Sequence, residues 1–226
     1  MCTIDYNNLI TSIEFYSAIR FDIYLKWRYI APDEYREQAE SGISFLDILI
    51  GNIPDYNRCF EILLKEDEIN TALSLIRLQA DNLRVLYMEY LYPNKILPQI
   101  YLRDKQLSDI VIDGKKLKRP EVNKIVDNAY PRFKEILNTY NAYVHPSIKH
   151  QRDLIAGTNE TKPNYRELAL NAKIDMVYIN KAIVKTLEDI NEYYKTQLEQ
   201  KPDLYKEWID FVRFNNGWVQ HILSKK

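Results

Sequence analysis

The chain has 226 residues, of which 46% are hydrophobic and 28% are charged, and its formal net charge is −1 at pH 7. This composition is typical of a packed globular protein and excludes a disordered chain. The near-neutral charge argues against a nonspecific binder of duplex nucleic acid, so any RNA contact has to be confined to a local site. Only five residues are glycine, whereas strand-rich folds and nucleotide-binding folds need glycine at turns and phosphate loops. The composition therefore predicts an all-α protein with at most one short β-hairpin.

The two cysteines, Cys2 and Cys59, indicate neither a disulfide framework nor a zinc site, so we expect a reduced, cytoplasmic protein. No apolar run approaches the roughly 20 residues that span a bilayer, and the first residues lack the pattern of a signal peptide. The sequence also lacks a glycine-rich phosphate loop and a Gly-x-Ser-x-Gly elbow. We expect no membrane contact, no metal and no cofactor.

The first 65 residues are predicted to form helices whose role the sequence does not indicate. The first helix is expected over residues 5–29, and Pro32 lies beyond its end. One side of it carries an apolar stripe of Ile13, Tyr16, Ile19, Ile23 and Trp27. A second helix is expected over 33–49, an Asn-Ile-Pro break at 52–54, and a further helix over 55–65.

The segment 68–92 gives the clearest helical pattern, and Pro93 ends it. Its apolar stripe, at spacings of three and four, is Ala72, Leu75, Ile76, Gln79, Leu83, Leu86 and Tyr90. Arg77, Asp81 and Arg84 lie along another line of the same helix, at a spacing that suits an Arg77–Asp81 ion pair. The ordinary interpretation of such residues is a solvated or intrahelical salt bridge.

An irregular region follows at 93–120. The run Ile110-Val111-Ile112 meets Asp113-Gly114, which predicts a tight turn and a two-stranded hairpin near 110–117. The basic residues beside it are Lys115, Lys116, Lys118 and Arg119. They could contact phosphate, but a charged run beside a turn is more often simply solvated.

A short helix over 121–128 is predicted next, and Pro131 suits the first position of another helix. The buried stripe of that helix is expected to be Phe133, Ile136, Leu137, Tyr140 and Val144, beside a polar line of Asn138, Asn141 and His145. Pro146 makes His145 the expected last helical residue. A loop of about 20 residues follows, a length that suggests a functional or mobile segment.

The remaining chain is predicted to form two more helices separated by Pro202. The longer covers 165–199, and its expected apolar stripe is Leu170, Ile174, Val177, Val184, Leu187, Ile190 and Tyr194. The shorter covers 204–214, with a tail from Asn215. The whole chain, 1–226, is interpreted as a single helical domain.

His145 and Asn141 are the residues whose pattern points to chemistry. An imidazole titrates near neutrality and can exchange a proton with a ribose hydroxyl, and an asparagine one turn earlier can orient the imidazole or bind a phosphate oxygen. The helix dipole favours the protonated imidazole at a helix C-terminus. The structural alternative is a histidine that only caps the last carbonyl groups of the helix.

The segments Tyr130-Pro131-Arg132-Phe133 and Tyr140-Asn141-Ala142-Tyr143-Val144-His145-Pro146-Ser147 resemble the signature of the HEPN superfamily, helical domains of bacterial defence and toxin–antitoxin systems. The family motif is an arginine, a polar residue, three variable residues and a histidine. Asn141 and His145 match it, and Tyr140 replaces the arginine. Residues 74–81 resemble an earlier helix of one subgroup. The resemblance covers about 70–195 and leaves 1–65 and 200–226 unexplained.

The resemblance implies a bundle of four or five helices, a homodimer with the two motifs facing one cleft, and metal-independent RNA cleavage forming a 2′,3′-cyclic phosphate. Its catalytic positions are His145 as general acid or base, Asn141 as the orienting group, and Tyr140 in the place of the phosphate-binding arginine. For substrate binding we add Ser147, which closes the motif, and Arg77 or Arg84, which could replace the missing cation if helix 68–92 packs against the motif helix.

Three functions stay open from the sequence. The first is an RNA endonuclease. The second is a catalytically degenerate relative that serves as a sensor, immunity or assembly subunit and binds nucleic acid, nucleotide or a protein partner from a neighbouring gene. The third is a helical adaptor unrelated to RNA, whose 18 tyrosines would suit partly wet protein interfaces.

Overall fold

The computed structural model of the chain describes residues 7–37, 45–144 and 165–223. These residues form helices joined by short connections, with one small hairpin, which confirms the all-α prediction. The α-helices are α1 (Asn7–Ile30), α2 (Phe45–Lys65), α3 (Ile69–Leu91), α4 (Leu97–Arg103), α5 (Arg119–Ala129), α6 (Phe133–Val144), α7 (Tyr165–Glu199) and α8 (Pro202–Leu223). The strands are β1 (Val111–Ile112) and β2 (Lys115–Lys116). Single-turn 3-10 helices occupy Asp33–Tyr35 and Leu107–Asp109.

Helix α3 lies at the centre of the bundle, packed against α2, α6 and α7, while α1 covers α2 and α7. Its position follows from its sequence, because apolar side chains occur around most of its circumference. The buried ones are Ala72, Leu73, Ile76, Ala80, Leu83, Leu86 and Met88. Helix 68–92 packs against the motif helix, which was the condition for Arg77 or Arg84 to replace the missing cation. None of the described helices combines the length and apolar content that a membrane span needs.

Helix α2 corrects the predicted break at 52–54, because it continues through Pro54 without interruption. A proline inside a helix costs about 3 kcal/mol. One apolar face runs across the proline, however, and burial of several large side chains outweighs that cost. This face consists of Leu46, Leu49, Ile50, Ile53 and Phe60. Burial therefore overrides the local signal.

The hairpin has the predicted position and turn. Val111 pairs with Lys116 and Ile112 with Lys115 in antiparallel register. Asp113 and Gly114 both have positive φ, at 49° and 78°, as the tight two-residue turn that Asp-Gly favours requires. Ile112 is buried against the bundle, so the hairpin is fixed to the core on one side.

Helix α6 begins at Phe133 rather than at the predicted Pro131. Residues 131 and 132 form a turn in which Arg132 adopts a φ of 81°. The buried stripe is as predicted for Phe133, Ile136, Leu137 and Tyr140. The turn sets the direction in which the Arg132 side chain leaves the backbone.

The two C-terminal helices depart from prediction in different ways. In the first part of α7 the predicted stripe faces outward, since Leu170 and Ile174 are exposed. The buried face carries other residues instead, namely Ala172, Asp175, Met176 and Ile179. Helix α8 continues to Leu223, past the tail predicted from Asn215. Lys26 of α1, whose ammonium group lies 5.1 Å from the ring centroid of Trp208, connects α8 to the bundle.

Candidate anion-binding site

Tyr140, the residue in the motif's arginine position, lies in the core of the described bundle with only 1% of its surface exposed. Its hydroxyl group donates a 2.8 Å hydrogen bond to Oδ2 of Asp175 on α7. Burial first, and then the hydrogen bond to the Asp175 carboxylate, raises the pKa of Tyr140. The hydroxyl is thus a fixed neutral donor. It connects the motif helix to α7, which is the packed role that its position in the apolar stripe also allowed.

The same carboxylate holds the turn that precedes the motif helix. Nη2 of Arg132 contacts Oδ1 of Asp175 at 2.8 Å, and the Arg132 guanidinium lies 5.4 Å from the ring centroid of Tyr178. Each oxygen of Asp175 therefore has one donor, Arg132 or Tyr140. We call this group of three residues, Arg132, Asp175 and Tyr140, the lock, because it fastens both ends of one segment to α7.

Asn141, the motif residue that follows Tyr140, is exposed on α6, as is Asn138 of the same polar line. His145 and Ser147 lie outside the described residues. The catalytic assignments of His145 and Asn141 and the substrate-binding assignment of Ser147 remain predictions.

Arg77 and Arg84 meet at one carboxylate. Asp81 pairs with Nη1 of Arg77 through one oxygen and with Nη2 of Arg84 through the other. The intrahelical Arg77–Asp81 pair is confirmed. Of the two alternatives given for these residues, the intrahelical salt bridge applies, since Arg77 is 2% exposed and Arg84 is 9% exposed. Arg84 also donates from Nη1 to Oδ1 of Asn123 on α5, at 3.2 Å.

This cluster forms one wall of a cleft of about 380 Å³. The rest of the cleft comes from the irregular region after α4 and from the start of α5, which add Lys105 and Arg119 to the two arginines. Apolar side chains complete the lining, namely Val85, Ile100, Leu107 and Val122. Four cations and one carboxylate thus surround a volume that can hold more than a single water molecule or ion.

The side chains that line the cleft carry an excess of positive charge. Burial lowers the pKa of the Arg84 guanidinium, and Arg77 and Arg119 lower it further, while Asp81 opposes them. Nε of Arg77 and Nε of Arg84 have no hydrogen-bond partner among the described residues. Buried guanidinium groups normally have all their donors paired, because an unpaired buried donor costs about 1–3 kcal/mol. An anion with several oxygens in the cleft would offset the surplus positive charge of these guanidinium groups.

A second basic depression adjoins the cleft on the other side of α5. We call it the groove. It has a volume of about 540 Å³, shares Arg119 with the cleft, and gains Lys124 and Lys134. Its carboxylate, Asp127, accepts a 2.9 Å hydrogen bond from the backbone N–H of Lys134. Asn123 lines the groove and contacts Arg84 in the cleft, so the two depressions share a wall.

Sequence reasoning found Arg77 and Arg84 but missed several partners. Lys105 carries no pattern of its own, and Arg119 belonged to a run interpreted as solvated. The lock was missed because Asp175 lies 35 residues from Tyr140 and looked like one polar residue of a long amphipathic helix. The available signal was the absence of an apolar residue at 175, where the buried face of α7 needed one.

Among the described residues, no group of three or more histidine, cysteine, aspartate or glutamate side chains could hold a metal ion. No protein-family model, curated protein or solved structure matches the chain. The cleft is therefore interpreted from its own geometry.

Proposed function

We propose that the chain is a HEPN-like helical protein of a bacterial defence or toxin–antitoxin module that acts as an RNA endonuclease, with Arg77 and Arg84 binding the RNA phosphate. The observation that carries this proposal is the cationic cleft on α3, the helix that also packs against the motif helix α6. It supplies positive charge that Tyr140, buried and neutral, does not supply.

The chemistry is the reaction that the resemblance to the HEPN superfamily implies. The ribose 2′-hydroxyl attacks the adjacent phosphorus, the bond to the leaving 5′-oxygen breaks, and a 2′,3′-cyclic phosphate forms. His145 exchanges the proton with the attacking or the leaving oxygen, and Asn141 orients the imidazole or the phosphate. The guanidinium groups of Arg77 and Arg84 stabilise the charge that develops on the phosphate oxygens.

The test compares wild type with His145→Ala on single-stranded RNA, with and without a chelator. We expect wild type to cleave regardless of chelator and to leave cyclic phosphate ends, and His145→Ala to lose cleavage while keeping its helical circular-dichroism signal and melting temperature. Arg77→Gln should also lose most cleavage. Lys181→Gln, at an exposed position of α7, serves as the control and should cleave like wild type.

Two results would contradict the proposal. One is a wild type that cleaves no single-stranded RNA at any protein concentration. The other is a His145→Ala variant that cleaves normally but melts several degrees lower, which would make His145 a capping residue.

A second candidate function is the catalytically degenerate relative, which binds nucleic acid, nucleotide or a protein partner. The specific observation in its favour is the lock, because Tyr140 in the arginine position is used for packing against α7 rather than for a ligand. This candidate predicts RNA or nucleotide binding at the cleft, lost in Arg77→Gln, without cleavage by any variant.

The proposal includes a homodimer, which the family resemblance implies. Two exposed apolar side chains one turn apart on α7, Leu170 and Ile174, support an interface on that face. Light scattering should give about twice the 27.0 kDa chain mass. Ile174→Glu should reduce that mass to the mass of one chain. A monomeric wild type would contradict the part of the proposal in which the motifs of two subunits face each other.

A further inference from the structure

The distribution of charge around α5 differs from that of the chain as a whole. The cleft and the groove together hold six cationic side chains, and only two carboxylates, Asp81 and Asp127, lie among them. The cations are Arg77, Arg84, Lys105, Arg119, Lys124 and Lys134. The whole chain carries a net charge of −1. A local surplus of four positive charges is therefore a feature of this surface, compensated elsewhere on the molecule.

Both carboxylates of this surface already have partners. Asp81 pairs with Arg77 and Arg84, and Asp127 accepts the backbone N–H of Lys134. Within the described residues, neither forms an ion pair with Lys105, Arg119 or Lys124. A single phosphate group bound in the cleft would leave the cations of the groove unmatched, so the charge fits an extended polyanion better than a small anion.

We propose that the cleft and the groove form one continuous track for single-stranded RNA, which crosses the first turn of α5 at Arg119. One phosphate lies against Arg77 and Arg84 in the cleft, Arg119 contacts the strand as it leaves, and Lys124 and Lys134 hold phosphates farther along. This inference deepens the proposed function, on which it rests, because it names the form of the RNA and its path.

The depth of the cleft selects a single strand. Arg77 and Arg84 are almost fully buried, so a phosphate reaches them only if the backbone bends into the cleft. A duplex is stiff and presents its phosphates on a convex surface, whereas a single strand can bend and turn its bases outward. The apolar side of the cleft, with Val85, Leu107 and Val122, offers a base a surface to pack against.

The experiment measures binding of fluorescent 2′-O-methyl oligouridine, which cannot be cleaved through its 2′ position, by anisotropy over a range of salt concentrations. The groove variant is Lys124→Gln with Lys134→Gln. Both residues are exposed, so the fold should be unaffected. We expect about a tenfold loss of affinity for a long oligomer, and a salt dependence of the binding constant that is shallower by about 0.7 for each phosphate contact removed. Binding of uridine monophosphate, measured by calorimetry, should not change.

The cleft variants should behave differently from the groove variant. Arg77→Gln should weaken the binding of the oligomer and of uridine monophosphate alike. Lys105→Gln, at a partly exposed position that lines the cleft but not the groove, gives the same comparison if Arg77→Gln folds poorly. The matched control is Lys181→Gln with Lys185→Gln, two exposed lysines of α7 outside both depressions. It should bind every ligand like wild type.

Three outcomes would overturn the track. These are an unchanged oligomer affinity in the groove variant, a duplex of the same sequence that binds as tightly as the single strand, and a polyglutamate peptide that competes as well as RNA. The failures of the two proposals are distinguishable. If wild type never cleaves RNA but the groove variant loses oligomer binding, the nuclease proposal fails and the track stands. If RNA is cleaved but the groove variant binds normally, only the track fails.

Discussion

Two clusters in this protein each place one aspartate between two donors, and they differ in their balance of charge. In the lock, Asp175 forms an ion pair with Arg132 and accepts a hydrogen bond from the neutral hydroxyl of Tyr140, so one negative charge is balanced by one positive charge. In the cluster of α3, Asp81 receives Arg77 and Arg84, which leaves one positive charge unmatched and two Nε atoms unpaired within the described residues. The balanced cluster fits a structural role, whereas the unbalanced one fits a ligand site.

Removal of the acceptor in the lock should have the largest effect on stability. Asp175→Ala leaves the buried Tyr140 hydroxyl without an acceptor and removes the ion pair of Arg132. We expect a loss of about 3 kcal/mol in the free energy of unfolding, and a melting temperature lower by roughly 6–12 °C, measured by circular dichroism. Asp189→Ala, whose partner Lys185 faces water, is the matched control and should melt close to wild type. An Asp175→Ala variant that melts like that control would refute the structural role of the lock.

Glu89 is a buried carboxylate that forms no ion pair with any cation of the described residues. Its oxygens accept backbone N–H groups from Asn94, Ile96 and Leu97. Burial raises the pKa of Glu89 to about 7, and the hydrogen bonds from Leu97, Asn94 and Ile96 only partly oppose that rise. In an unfolded chain the pKa is near 4.5, so the folded state binds the proton more tightly.

The sign of the pH effect follows from that difference. As pH rises from about 4.5 through 7, the folded state loses stability because ionised Glu89 is disfavoured in the core, by roughly 1–3 kcal/mol. Thermal melts of wild type and Glu89→Gln at several pH values should differ in slope. The variant should be less stable at low pH, because an amide offers one acceptor oxygen where the carboxyl offers two. Its melting temperature should also change less with pH between about 4.5 and 7. Parallel curves would contradict a raised pKa.

A smaller effect is expected from Tyr140→Phe, which removes one donor and leaves the Arg132–Asp175 pair in place. The expected loss is about 2 kcal/mol in urea unfolding, because the acceptor is a charged carboxylate. Tyr130→Phe, which removes a 2.8 Å hydrogen bond to the neutral hydroxyl of Thr186, should cost less, because hydrogen bonds to charged groups are the stronger ones. RNA cleavage should be unchanged in Tyr140→Phe. Abolished cleavage with unchanged stability would return Tyr140 to the catalytic residues.

The sequence predicted the parts of the fold that depend on local pattern. Periodic apolar spacing placed α3, α6 and the bounds of α7, and Asp113-Gly114 placed the hairpin turn. At Pro54 the burial of an apolar face outweighed the local helix-breaking signal. At the end of α8 the helix continued through residues that had been interpreted as a tail. At the site, the spacing of Arg77, Asp81 and Arg84 predicted the ion pair. Its burial depended on α4, α5 and the irregular region between them, and contacts between distant segments leave no periodic signal.

Substitution of Arg77 should affect stability in the opposite direction to substitution of Asp175 in the lock. Arg77→Met replaces a buried guanidinium by an apolar side chain of similar length, while Asp81 keeps its pair with Arg84. Because replacing a surplus buried charge by a packed apolar group is often neutral or stabilising, the free energy of unfolding without ligand should stay within about 1 kcal/mol of wild type or rise. Arg132→Met is the matched control. It leaves the Asp175 charge with Tyr140 as its only partner in the lock, and it should be the less stable of the two variants.

Addition of single-stranded RNA should raise the melting temperature of wild type, because a ligand that binds only the folded state stabilises it, and should not raise that of Arg77→Met. If Arg77→Met instead loses as much stability as Asp175→Ala and RNA stabilises neither protein, both clusters are structural, and the surplus charge of α3 is not a ligand site.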